Sequence, residues 1–263
     1  MNLAQEVPKE LKKFAAVMDK LAYRNGSYSD VFSDNLDYML ACFLTTGDKE
    51  RAEQLQKKYK GEYALFDELL KEYIMCMNDV LGGNKSWYDG LGTIYETISS
   101  HWKSSALGQF FTPCALVDAM TFMTLGEDEQ GFGKRVLDNC CGSGRMLISA
   151  HAHAPGNYQF GSDIDPICTK MTAINMMLHG CVGEVSCMDS LAYTWKFGYR
   201  INTHLNRVGV PTIEHIEKFE DSYFYVKDKE CKVVEPPKPK ERGKYEPAKM
   251  EPTILQNGQM SLF

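Results

Sequence analysis

A chain of 263 residues with 44% hydrophobic and 24% charged residues has the composition of a globular protein with room for one or two cored domains. Its net charge of −6 excludes a global basic field for nucleic acid, so any DNA contact has to come from a local patch or a partner. No apolar run approaches the roughly 20 residues that span a bilayer, the first residues lack the basic-then-apolar pattern of a leader, and the nine cysteines form no C-x-x-C pair; reduced thiols and a cytoplasmic setting are expected.

Residues 1 to about 105 carry apolar side chains at helical spacing. Leu3, Val7, Leu11, Phe14, Met18 and Leu21 form one stripe, Val31, Leu36, Met39, Leu40 and Phe43 a second, and Leu65, Leu69, Leu70, Tyr73, Met77 and Val80 a third. Asn25-Gly26, Thr46-Gly47-Asp48 and Gly82-Gly83-Asn84 separate them. An all-helical domain over residues 1–105 is predicted, with the stripes as core. Trp87 to Glu96 starts a further helix whose aromatic residues pack on the next domain. Within Gly108-Gln109-Phe110-Phe111-Thr112-Pro113, Thr112 suits an N-cap and Pro113 the first helical position, with Ala115, Leu116, Ala119, Met120 and Met123 continuing.

Three short strands are predicted next. Val136-Leu137-Asp138 leads into the turn Asn139-Cys140-Cys141-Gly142-Ser143-Gly144 and a helix from Arg145 to His153. Tyr158 to Asp163 is a second strand, after which Asp165 caps a helix begun by Pro166 and ended by Gly180 at its C′ position. Val182 to Met188 is a third, tipped by Asp189-Ser190. This alternation argues an α/β domain with a parallel sheet, and ligands bind beyond the carboxyl ends of such strands. Asp138, Asp163 and Asp189 fall at those ends, so one rim carries three acids beside a glycine turn. A carboxylate accepts from ribose hydroxyls, an adenine amino group or a charged amine, which points to a cationic nucleoside. A dinucleotide would want G-x-G-x-x-G, and no third glycine follows Gly144. His151 and His153 lie on different helix faces, so no metal site is expected.

Beyond Leu191 the pattern is less informative. Tyr193, Trp195, Phe197 and Tyr199 alternate as a strand with one aromatic face, read as packing; the interleaved Lys196 and Arg200 make a nucleic-acid surface the competing reading. Phe224-Tyr225-Val226 and Cys231 to Val234 are expected to pair as a hairpin. From residue 235 the chain holds five of its ten prolines, mixed with lysines, and reads as an extended tail that ends in an apolar tip, Gln259-Met260-Ser261-Leu262-Phe263.

Residues from about 87 to 191 resemble the N6-adenine DNA methyltransferases, closest to the modification subunits of type I restriction systems and their mobile-element relatives. The residues that carry the resemblance are Gly108 to Pro113, the loop Asp138 to Gly144 (similar to D-P-x-C-G-S-G, with Asn139 in place of proline) and the acids Asp163 and Asp189. The resemblance implies a Rossmann-like fold with S-adenosylmethionine as cofactor, on a sheet truncated relative to the family, over residues 106–234, preceded by the helical domain 1–105 and followed by the tail 235–263. The cofactor site it implies comprises Phe111, Thr112, Pro113, Asp138, Cys140, Gly142, Gly144, Asp163, Ile164, Asp189 and Ser190. Phe111 to Pro113 would hold the methionine end, Asp163 the ribose hydroxyls, Ile164 the adenine face and Asp189 the adenine amino group. The family's catalytic Asn/Asp-Pro-Pro-Tyr/Phe element has no counterpart here, since the one Pro-Pro stands in Glu235-Pro236-Pro237-Lys238.

Three readings follow. The first is a DNA methyltransferase-like protein of a modification system, with a specificity or modification subunit as partner and DNA reached through that complex. The second is a non-catalytic adaptor. The third is a small-molecule methyltransferase. Gln259, Met260, Leu262 and Phe263 resemble the peptide that binds the bacterial sliding clamp, which makes the clamp an expected partner.

Overall fold

The computed structural model describes residues 1–83, 85–101, 111–125 and 132–226, together with the backbone of 253–254 and 260–261. Met1–Tyr225 forms one compact unit and Val226–Phe263 a second. The first begins with helices α1 (Leu3–Glu6), α2 (Lys12–Asn25), α3 (Tyr28–Phe43), α4 (Lys49–Tyr59), α5 (Leu65–Leu81) and α6 (Gly90–His101). The first predicted stripe is divided at Val7-Pro8, where the proline ring cannot continue a helix. Its residues are buried all the same, as are Val31, Leu36, Met39, Leu69, Tyr73 and Met77. Helix α4 escapes the apolar count because only Leu55 and Tyr59 are buried in it. Asp48 caps it, accepting from the Arg51 amide at 2.9 Å.

Helix α7 (Cys114–Leu125) follows, then β1 (Arg135–Asp138), α8 (Arg145–His153), β2 (Tyr158–Asp163), α9 (Pro166–Leu178), β3 (Val182–Asp189), β4 (Thr194–Ile201), α10 (Leu205–Val208) and β5 (Ile213–Ile216). The Pro113 carbonyl accepts from the Leu116 and Val117 amides, which makes Pro113 the N-cap of α7 and moves the helix start one residue beyond the prediction. Helix α9 starts and stops as expected. Asp165 accepts from the Ile167 amide at 2.8 Å. At the other end, Cys181 bonds back to Met176 and Gly180 to Met177 around Gly180 at φ +72°, a Schellman stop.

The five strands lie in the order β1-β2-β3-β4-β5. The first three are parallel, joined through α8 and α9, while β4 runs antiparallel to both β3 and β5. Helices α8 and α9 pack on the strands, and α3 and α6 pack on α9. One continuous core of buried residues therefore crosses residue 105, running from Leu3 through Tyr73 to Ile213. Among the described residues β1 pairs with β2 alone and stands at the sheet edge, with Leu137 52% exposed.

The expected single aromatic face of β4 is not what forms. Phe197 pairs with Cys187 and Trp195 with Met188, so a bulge at Lys196 puts the two rings on opposite faces. Phe197 and Tyr199 join the helix-side core, whereas Trp195 stacks on Phe219 and donates to Ser186 Oγ at 3.1 Å. Packing accounts for these rings. Phe224–Val226 is turn and coil rather than a strand: Tyr223 stacks on Phe160, and its amide donates to the buried Glu184. Burial raises the Glu184 carboxyl above its ordinary value, with Ser222 and the Tyr223 amide opposing. Residues Cys231 to Val234 and the Pro-Pro element lie outside the described residues. In the second unit, Thr253–Ile254 and Met260–Ser261 form the two-residue antiparallel strands β6 and β7; Gln259, Leu262 and Phe263 lie outside the described residues.

Candidate functional site

The parallel pairing brings Asp138, Asp163 and Asp189 to the carboxyl ends of three neighbouring strands. Between β1 and α8 the chain turns back on itself. The Cys140 amide donates to Asp138 Oδ1 at 3.0 Å and the Cys141 amide to the Ser162 carbonyl at 3.0 Å. The Gly142 amide donates to Asp163 Oδ2 at 2.9 Å, and Thr172 Oγ1 donates to the Gly142 carbonyl at 2.8 Å. Gly142 sits at φ +55°, and a Cβ there would stand 3.0 Å from the Phe111 ring, so the loop needs glycine on both counts.

A cavity of about 230 Å³ opens against this loop, walled by Phe111, Thr112, Met120, Asp138, Cys140 and Gly142 among others. Pro113, Gly144, Asp163, Ile164, Asp189 and Ser190 are not part of its wall. Gly144 is the N-cap of α8. Asp163 Oδ1 accepts from the Asp165 amide at 2.9 Å, and Asp189 Oδ1 accepts from the Leu191 and Ala192 amides at 2.9 and 2.8 Å. An ionised carboxylate has about four lone-pair sites, so each acid retains acceptor capacity for a ligand. Ile164 is 52% exposed, and its carbonyl accepts from Lys196 Nζ at 3.3 Å. Ser190 Oγ pairs with Ser162 Oγ at 2.9 Å.

Burial raises the Asp138 carboxyl above its ordinary value, the Cys140 amide opposes this, and the Asp163 charge adds to it. A raised carboxyl stabilises the fold below its ordinary pKa and loses that contribution as pH rises through the folded value. Asp138→Asn keeps an acceptor for Cys140 and removes the charge. Its melting temperature at pH 7 is therefore expected to equal or exceed that of the parent, with less loss between acidic and neutral pH; a fall of several degrees in thermal denaturation would contradict this. Burial favours neither sign of charge at this spot; the neighbouring Asp163 carboxylate is the part of the environment that a cationic, hydrogen-bond-donating group would complement.

A buried polar cluster stands behind the loop, and sequence reasoning missed it. Asp89 Oδ1 accepts from the Gly92 amide at 2.7 Å and from Asn175 Nδ2 at 2.8 Å. Its Oδ2 accepts from Ser143 Oγ and Arg145 Nε, both at 2.6 Å. The far side of the Arg145 guanidinium donates to Glu96 Oε2 at 2.6 Å and to the Thr112 carbonyl at 3.1 Å, and lies 5.3 Å from the Phe111 ring centre. Burial works against the Arg145 charge, but Glu96 and Asp89 more than offset it and hold the group above its ordinary value. Asp89 stands just before α6 and Glu96 seven residues on within it, and that spacing at a helix start was the available signal.

Residues 86–202 match the family model described as N-6 DNA Methylase. The type I restriction enzyme MjaVII methylase subunit of Methanocaldococcus jannaschii is 27% identical over 124 residues, which cover 44% of this chain and 20% of that protein. A solved type I restriction-modification system methyltransferase subunit from Streptococcus thermophilus aligns with 72% of this chain and 42% of its own, at 22% identity and a TM-score of 0.38. The chain thus spans less than half the length of these relatives.

Proposed function

We propose, on the premise that residues 86–202 belong to the N-6 DNA methylase family, that the chain binds S-adenosylmethionine at the rim of β1, β2 and β3 and serves N6-adenine methylation of DNA in a type I restriction-modification setting. The observation that carries the reading is the rim itself: three strand-end acids in spatial order beside a glycine loop with a cavity against it. S-adenosylmethionine is a cationic nucleoside and matches that chemistry. The 230 Å³ cavity falls below the roughly 300 Å³ at which pockets for whole drug-sized ligands begin, so it suits the methionine end. There Phe111 and Thr112 form one wall, and Asp138 faces the charge. The adenosine then lies outside the cavity, with its ribose on Asp163, its base along the exposed Ile164 and its amino group towards Asp189 and Ser190.

Methyl transfer to a flipped adenine further requires an acceptor for the base's amino group and an aromatic platform. Both are assigned to a partner polypeptide of the modification complex, through which DNA is engaged. Calorimetric titration of the full chain with S-adenosylmethionine is expected to give saturable binding. No heat at about 1 mM cofactor, weaker than about −4 kcal/mol, would overturn the reading. Transfer of labelled methyl groups to DNA is expected only when the partner subunit is added; transfer by the chain alone would remove the partner from the proposal.

A further inference from the structure

We infer that Asp89 is a positioning residue for the cofactor pocket, its buried carboxylate joining the glycine loop and the Phe111-Thr112 wall into one cradle. The inference rests on the reading that this pocket binds S-adenosylmethionine. The Asp89 side chain is fully buried, at 0% exposure, and outside the cavity wall, so it acts through others. Its four bonds reach four places: the start of α6, the loop at Ser143, α8 at Arg145 and α9 at Asn175. That satisfies every lone-pair site of the carboxylate.

Three residues tied to this carboxylate directly or through Arg145 (Ser143, Arg145 and Thr112) line the cavity. The cavity walls are therefore spaced by one chain of contacts, from the Thr112 carbonyl through Arg145 and Asp89 to Ser143. Asn175 closes the cluster from below: its Nδ2 donates to the Ser143 carbonyl at 2.8 Å as well as to Asp89. In so dry a place a satisfied network allows one arrangement, since any shift leaves a charge or donor unpaired.

The test pairs calorimetry with amide hydrogen exchange on the full chain, using Asp89→Asn and the milder Ser143→Ala, which removes only one of the four bonds. Affinity for S-adenosylmethionine is expected to fall roughly 10- to 100-fold in Asp89→Asn, the range for losing one charge-assisted hydrogen bond. Without cofactor, exchange at residues 140–144 is expected to quicken in both variants by more than any uniform change that β3 and α5 also show. A purely structural Asp89 would lower stability throughout without this local signature. Parent-like affinity in Asp89→Asn, or unchanged loop exchange in Ser143→Ala, overturns the inference. Should the parent chain fail to bind S-adenosylmethionine, the proposed function falls, and the exchange measurement alone decides whether Asp89 sets the loop.

Discussion

Arg145→Met is expected to destabilise the protein by about 3–5 kcal/mol, the usual cost of leaving one member of a buried ion pair alone. Arg145 is 6% exposed, and its partner Asp89 has no route to water. Glu96, 40% exposed, can turn outward when its partner is lost, so the penalty falls on Asp89. For a unit of this size the loss corresponds to roughly 10 °C in melting temperature. Arg145→Lys is expected to fall between parent and Met, because an ammonium keeps the charge but cannot bridge Asp89, Glu96 and the Thr112 carbonyl as a planar fork does. Urea denaturation checks both; a cost under about 1 kcal/mol for Met would show that the cluster is not a stabilising centre.

Asp163→Ala is expected to weaken S-adenosylmethionine binding about 100-fold or more. Two contributions are lost together: the ribose contact and the anchor that Oδ2 provides for the Gly142 amide at 2.9 Å. Asp163→Asn keeps one acceptor and is expected to lie between. Calorimetry reads both, and an affinity within threefold of the parent for Ala would move the ribose elsewhere on the rim. Asp189→Ala serves as the contrast, because its oxygen serves only its own turn at Leu191 and Ala192 among the contacts described. Its loss is expected to affect the adenine end and leave the glycine loop in place.

The strand-end acids and the glycine turn were legible in the sequence because they sit where short apolar runs stop, and the parallel register then puts them side by side without further instruction. The caps of α9 were legible for the same local reason. The bulge at Lys196 was not, since the alternation of Tyr193, Trp195, Phe197 and Tyr199 continues through it and only the pairing partner on β3 reveals the slip. Helix α4 was hidden by its polarity. Asp89 was hidden differently: an acid before Gly90 reads as a local cap, and it does cap Gly92, but its other bonds reach residues 54, 56 and 86 positions away. Arg145 reads only as the start of a helix, because its partners Thr112, Glu96 and Asp89 lie 33, 49 and 56 positions away. The fold instead spends it on Asp89 and Glu96.

Strand β1 carries the glycine loop at one end and has no partner along its outer side among the described residues. A strand edge of this kind presents N–H and C=O groups with which a further strand can pair. A strand added there would end beside Asp138 and the loop, within reach of whatever the loop holds. If a ligand bound at the loop favoured strand addition by some factor, strand addition would favour that ligand by the same factor.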